Sequence, residues 1–68
     1  MLNITRLSDK IAQKGLTISA LADSIGVNKS TFYRKLNNGG DNFLLWEIES
    51  VAKHLGLSQQ DIIEIFLS

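Results

Sequence analysis

Short amphipathic stretches separated by polar or glycine-rich breaks run along the whole chain. Two of the stretches carry apolar residues at i, i+3, i+4 and i+7, namely Ile18, Leu21, Ala22 and Ile25, and then Ile48, Val51, Ala52 and Leu55. This spacing gathers apolar side chains on one face of an α-helix. No stretch alternates with a period of two for long enough to indicate a strand. The pattern therefore predicts an all-α fold of five short helices.

Glycines and small polar residues mark where these helices begin and end. Glycine adopts the left-handed conformation at helix C-termini without a steric penalty, and a small polar N-cap residue accepts a free amide hydrogen. The predicted helix ends lie at Gly15, Gly26, the Asn37-Asn38-Gly39-Gly40 segment and Gly56. The predicted N-caps are Thr17, Asn28 and Ser58, the last within a Ser58-Gln59-Gln60-Asp61 capping box. The fourth helix is expected over about 45–55 and the fifth over about 59–67.

Length and composition limit what the chain does. Its 68 residues suffice for one domain, which we expect to span 1–68. It has no cysteine and a single histidine, His54, so we expect neither a zinc site nor another cofactor. An enzyme would need catalytic groups in a pocket, for which a chain this short offers little room. We therefore expect a protein that is not an enzyme and has no small-molecule substrate.

The chain does not have the pattern of a membrane or secreted protein. No apolar run approaches the roughly 18 residues of a membrane-spanning helix. The first residues lack the charged start and apolar stretch of a signal peptide. The absence of cysteine fits a reducing compartment. We expect a soluble protein of the cytoplasm.

The net charge is zero, but basic and acidic residues are distributed unevenly along the chain. Residues 1–40 carry six basic and two acidic side chains, a net charge of +4, whereas residues 41–68 carry one basic and five acidic ones, a net charge of −4. The basic residues of the first half are Arg6, Lys10, Lys14, Lys29, Arg34 and Lys35. Such asymmetry hints at a nucleic-acid surface, and chance scatter of surface charges is the alternative.

The most informative stretch is 17–37, where two short predicted helices meet at a tight turn. Ala22 is small enough for the second helix to cross closely, and Gly26 suits the left-handed conformation that the turn needs. Phe32 anchors the second helix, whose other side chains are mostly long and polar. A short helix held by one apolar stripe has a shape that a DNA major groove accepts.

This stretch resembles the helix-turn-helix of the lambda-repressor and Cro family. The family pattern has a leucine–alanine pair, a glycine four positions after the alanine, a hydrophobic residue, a small polar cap, and an apolar anchor six positions after the glycine. Leu21, Ala22, Gly26, Val27, Asn28 and Phe32 fill these positions. The likeness continues to the Leu55-Gly56-Leu57-Ser58 segment and so covers nearly the whole chain. The chain is most similar to short phage-encoded regulators of Gram-positive hosts.

The resemblance implies a recognition helix over about 28–37 in the major groove of double-stranded DNA. It implies base contacts by Asn28, Lys29, Ser30, Tyr33 and Arg34. It implies phosphate contacts by Thr17, Ser19, Thr31, Lys35 and Asn37. The implied function is sequence-specific regulation of transcription, in which phosphate contacts supply affinity and base contacts supply discrimination. Relatives often carry a phosphate-binding glutamine where this chain has Ile18, so one anchor of the family is absent.

Several side chains in these positions have a plainer interpretation. The basic residues of the recognition helix could form only a solvated face, and Tyr33 could half-bury its ring. Arg34 could reach either a base or a phosphate. Arg6, Lys10 and Lys14 recur every four residues on the first helix, where they could contact phosphate or only solvent.

The last helix predicts a second surface. Five of the last seven residues are large and apolar, and they cannot all lie on one inward stripe. We therefore predict that Ile63, Phe66 or Leu67 joins an interface, with a second copy of the chain or with a partner repressor. A fully tucked helix is the alternative. The same apolar residues, with the zero net charge, favour a second function: a protein-interaction module or antirepressor that binds a partner repressor.

Overall fold

The computed structural model describes residues 2–39 and 43–67, which contain five α-helices joined by short turns. The helices are α1 (Ile4–Gln13), α2 (Ile18–Ile25), α3 (Lys29–Asn37), α4 (Leu45–Leu55) and α5 (Gln59–Phe66). No strand occurs in these two ranges. The predicted all-α, five-helix fold is confirmed. Gly40, part of the predicted stop, lies outside the described residues.

The predicted caps form as local hydrogen bonds. Thr17 Oγ1 accepts the amide hydrogen of Ala20 at a distance of 3.0 Å. Ser58 Oγ accepts from the Asp61 amide at 3.0 Å, while the Asp61 carboxylate accepts from the Ser58 amide at 3.1 Å, which completes the capping box. Gly56 ends α4 in the left-handed conformation, with φ of 66°. These contacts lie within a few residues along the chain, so a sequence pattern can predict them.

One side chain from each helix meets in the centre of the core. The largest fully buried side chains are Leu7, Leu21, Phe32, Val51 and Ile65, which belong to α1, α2, α3, α4 and α5 in turn. Phe43, which precedes α4, packs edge-on against Phe32 and Phe66, with ring centroids 5.6 and 5.7 Å away. Every helix is therefore held by burial of apolar surface in one shared core.

The helices pack so that α3 lies at the edge of the bundle. α2 packs against α1, α3 and α4, and α5 packs against α1 and α4, whereas α3 packs mainly against α2. A large part of the α3 surface consequently faces away from the other helices. Within the described ranges, no helix has the length and apolar character needed to cross a bilayer.

The buried face of α4 differs in detail from the predicted stripe, and the buried face of α1 does not include its first apolar residue. The α4 stripe begins one residue earlier than expected, because Glu47 is buried while Ile48 is only half-buried. On α1, Leu7 and Ile11 are buried, but Ile4 at the start of the helix is exposed. Spacing along a helix identifies the buried face only approximately, and the packing of neighbouring helices decides which of its residues are covered.

Candidate functional site

The turn between α2 and α3 sets the geometry of the candidate site. Gly26 has φ of 76°, the left-handed region, and its amide donates to Asp23 O at 3.2 Å. Val27 donates to Ala22 O at 2.9 Å, and its side chain is buried. An added Cβ at Gly26 would have no neighbour within 4 Å. Glycine is therefore required here by backbone conformation and not by crowding.

α3 has one buried face and one face directed outward. Phe32 and Leu36 are buried and hold the helix against the core. The residues at positions 29, 30, 33, 34 and 37 are exposed. Residues spaced three and four apart share a helical face, so these five form a single surface that we call the outer face of α3.

Lys29 and Tyr33 on the outer face are accessible, as groove contact requires. Lys29 Nζ lies 3.5 Å from Asp23 Oδ2, and both side chains are more than half exposed. An exposed pair of this kind is weak, so it leaves the ammonium group able to move to another acceptor. The Tyr33 side chain is 42% exposed, which partly supports the half-buried alternative, and its hydroxyl remains at the surface.

Asn28 precedes the outer face and serves as the N-cap of α3. Its Oδ1 accepts amide hydrogens from Ser30 at 2.9 Å and Thr31 at 3.3 Å, which caps α3. The residue is exposed, but the oxygen of its amide is engaged within the chain. Only the amide nitrogen is left to contact a base, so any such contact uses Asn28 as a hydrogen-bond donor.

The start of α2 lies beside the outer face of α3. Ser19 Oγ and the Tyr33 hydroxyl oxygen are 3.4 Å apart, which brings the two helices' polar groups together. Thr17, the N-cap of α2, is exposed, and Ser19 is half-buried. Hydroxyl groups and helix N-termini are suited to bind phosphate oxygens. The structure therefore joins two of the expected phosphate-binding residues to the surface that carries the expected base-binding ones.

The remaining expected phosphate-binding residues differ in their surroundings. Asn37 is exposed at the end of α3, and Thr31 is half-buried. Lys35 is 14% exposed, because its ammonium group lies 2.6 and 2.7 Å from the two carboxylate oxygens of Glu47. Lys35 thus points to α4 and not to the outer face of α3. The phosphate contact expected for Lys35 does not fit this position, since its charge is already paired inside the protein.

Two of the three basic residues that recur along the first helix, Arg6 and Lys10, pair with acids of the second half of the chain. Arg6 lies 2.6 Å from a Glu64 oxygen and 3.7 Å from an Asp61 oxygen, and Lys10 lies 3.6 Å from Asp61. These two basic and two acidic side chains form a set of ion pairs between α1 and α5, which we call the α1–α5 clamp. These pairs neutralise part of the charge asymmetry of the sequence. Arg6 and Lys10 are engaged within the protein, whereas Lys14, the C-cap of α1, is exposed.

The predicted C-terminal interface is only partly exposed. Ile63 and Leu67 are 49% and 68% exposed, respectively. Phe66 is 8% exposed, since its ring packs on Phe43 in the core, and it does not lie on the surface expected for it. The C-terminal surface that is available to a partner therefore contains Ile63 on α5 and Leu67 just after it, without Phe66.

Two features near α3 were not predicted from the sequence. Leu44 and Leu45 are exposed although they are large and apolar, and Trp46 beside them is half exposed. Glu47 is buried and receives Lys35. A signal for Glu47 was present, since it lies four residues before the buried Val51 and thus on the same helical face.

Comparison with known proteins agrees with this geometry. Residues 6–66 match the Cro/C1-type HTH (helix-turn-helix) DNA-binding domain family. No curated protein and no solved structure gives a significant match to the chain. The family match covers nearly the whole chain and includes the α2–turn–α3 unit and all five helices except the start of α1. The chain belongs to the Cro/C1-type helix-turn-helix DNA-binding family.

Proposed function

We propose that the chain regulates transcription by sequence-specific binding to double-stranded DNA, with α3 as the recognition helix in the major groove. One observation carries this proposal. The outer face of α3 is exposed and polar along its whole length, while Phe32 and Leu36 hold the opposite face in the core. An α-helix fits the width of the major groove, where base edges present distinct donors and acceptors.

The side chains on this surface have different chemical roles in the proposal. Lys29 donates to the guanine acceptors, whereas Ser30 and Tyr33 are permissive readers that donate or accept. Asn37 and the start of α2 bind phosphate and so fix the position of α3 on the duplex. Arg34, one residue from Tyr33, reaches either a base edge or a phosphate, and the two roles differ in their consequences.

Selection of bound sequences from a random DNA pool is the direct test. The proposal predicts a defined motif and, if two copies bind together, half-sites about one helical turn apart. Lys29→Ala is expected to change the preferred motif, because it removes a base contact worth about 1–3 kcal/mol. Arg34→Ala is expected to weaken all sequences evenly and to reduce the salt slope by about 1 if it binds phosphate.

Lys53→Ala provides the matched control, because Lys53 is an exposed lysine on α4. It removes the same charge at a position outside the proposed surface, so we expect little change in affinity or motif. Unchanged binding in both the Lys29 and Arg34 variants would show that the site is assigned to the wrong face. Failure of the unmodified chain to enrich any motif would contradict sequence-specific binding itself.

The narrower identity is a repressor of the Cro type encoded by a phage or prophage. It is supported by the resemblance of the chain's sequence to short phage regulators of Gram-positive hosts. A protein that acts on the DNA of a bacterial host would work in the host cytoplasm.

Contact with another protein is the second candidate function, favoured by one observation. Ile63 on α5 and Leu67, its C-cap, expose large apolar side chains. Such surface is a common place for a second copy of the chain or a partner repressor to bind. Size-exclusion chromatography of the chain with and without a repressor, compared with a salt titration on DNA, would separate an antirepressor from a DNA-binding dimer.

A further inference from the structure

A buried ion pair joins the recognition helix to α4. Glu47 is 2% exposed, and both of its carboxylate oxygens accept from Lys35 Nζ. Its Oε1 also accepts the Leu44 amide hydrogen at 2.8 Å. The pair therefore has hydrogen-bond partners on α3 and at the start of α4, and it is not an isolated surface contact.

The ion pair is also continuous with the aromatic part of the core. Lys35 Nζ lies 5.9 Å from the centre of the Phe43 ring, within the range of a cation–π contact. Phe43 in turn packs edge-on against Phe32, the buried anchor of α3. Lys35 and Phe32 thus connect α3 to the same ring from two positions along the helix.

We propose that the Lys35–Glu47 pair is a positioning device for DNA recognition. It holds the second half of α3 at one rotation on the protein body, so that Tyr33, Arg34 and Asn37 meet the groove in a fixed register. The apolar contacts of Phe32 and Leu36 are non-directional and allow small rotations. Lys35 Nζ donates charge-assisted hydrogen bonds to both Glu47 oxygens, and because hydrogen bonds are directional the pair restricts these rotations. Lys35 and Glu47 are positioning residues, and this inference rests on the proposed DNA-binding function.

The direction in which one substitution changes DNA affinity separates a positioning role from a simple effect of net charge. Glu47→Gln keeps a carbonyl oxygen for the Leu44 amide but removes the negative charge that holds Lys35. If only net charge mattered, removing an acid would raise DNA affinity, and the released lysine would steepen the salt slope by about 1. Positioning predicts the opposite: affinity for the selected motif falls about fivefold or more, as after loss of one good base contact.

Lys35→Met tests the other partner. The positioning role predicts lower discrimination between the selected motif and unrelated DNA, with the salt slope unchanged, because no phosphate contact is lost. Lys53→Met on α4 is the matched control and should leave discrimination unchanged. A salt slope reduced by about 1 with discrimination intact would show that Lys35 binds phosphate and would overturn the inference.

The double variant Lys35→Met/Glu47→Gln keeps the test valid if a single variant unfolds. It leaves no unpaired buried charge, so we expect it to fold, since replacement of a buried ion pair by neutral groups is often tolerated. The double variant should still discriminate less between the selected motif and unrelated DNA than the unmodified chain does. Full recovery of discrimination in this folded variant would contradict the positioning role.

Amide hydrogen exchange separates failure of this inference from failure of the proposed function. Without DNA, the amides of Leu36 and Asn37 should exchange faster in the double variant than in the unmodified chain, while those of α2 stay protected. Equal protection of α3 in both proteins would refute the positioning role. Absence of DNA binding by the unmodified chain would instead refute the proposed function.

Discussion

Asn28 and Gly26 determine where α3 begins and in which direction it leaves the turn. The amide oxygen of Asn28 satisfies two backbone donors that would otherwise lack partners at the start of α3. Gly26 reverses the chain with φ of 76°. Both features depend on backbone geometry within a few residues, which is why the sequence pattern predicts them correctly.

Gly26→Ala is expected to destabilise the protein by about 1–2 kcal/mol, the usual cost of a left-handed backbone for a residue with a Cβ. The space around Gly26 is open, so no clash adds to this cost. Chemical denaturation followed by circular dichroism measures the change. Gly26→Asn serves as the control and should lose less stability than the alanine variant, because asparagine tolerates this conformation. Equal stability of the alanine variant would contradict the turn geometry.

Lys35 illustrates what a sequence pattern cannot resolve at this scale. Its neighbours Arg34 and Leu36 are exposed and buried, respectively, so the position falls at the border of the two faces of α3. Its direction is decided by Glu47, which lies 12 residues further along the chain. Side chains such as Lys29, which lie well within the polar face, were predictable, whereas a border residue follows its tertiary partner.

At the scale of the helices, the α1–α5 clamp links the two ends of the described chain. Asp61 belongs both to this clamp and to the capping box of α5. The clamp also explains why the charge asymmetry in the sequence does not locate the proposed DNA-binding surface. Opposite charges distant in sequence lie together in the fold, and the outer face of α3 depends on Lys29 and Arg34 instead.

The acid stability of the protein is expected to depend on Asp61. Hydrogen bonding by the Ser58 amide is the main cause that lowers the pKa of Asp61 below its ordinary value of 3.8, partial burial opposes it, and Ser58's side chain, Lys10 and Arg6 lower it further. Since the folded-state pKa lies below the unfolded one, this stabilisation is present above the unfolded pKa. It is lost as the pH falls through the folded pKa.

Asp61→Asn should therefore flatten the loss of stability below about pH 4, because the variant has no carboxylate to protonate at this position. Thermal unfolding measured from about pH 7 to about pH 2 tests this, because carboxylates titrate within roughly this range. Asp9→Asn is the matched control, since it removes the same charge from an exposed position on α1. An unchanged profile for Asp61→Asn would show that the capping contact does not couple to folding.

At the scale of the whole molecule, one core holds five helices and leaves α3 at its edge. The fold class and all five helices could be predicted because caps, glycines and apolar spacing are local signals. The inward direction of Phe66 could not, because it depends on Phe43, a residue between α3 and α4 that has no helical pattern of its own. Ile63 and Leu67, which the sequence grouped with Phe66, are exposed instead.

The double substitution Ile63→Ser/Leu67→Ser tests whether α5 forms an interface. Both side chains are about half exposed or more, so the fold should be retained with little loss of stability. If α5 pairs two copies, analytical ultracentrifugation should show a dimer for the unmodified chain and a monomer for the variant. The same association state for both proteins would contradict the interface.

The most direct test of the account is to map the DNA-binding surface by NMR. Amide shifts of the labelled chain would be followed while a duplex carrying the selected motif is added. DNA binding by the outer face of α3 should give the largest changes at Lys29, Ser30, Tyr33 and Arg34 and at the start of α2, with small changes on α5. Changes centred on Ile63 and Leu67, with the outer face of α3 unaffected, would contradict it.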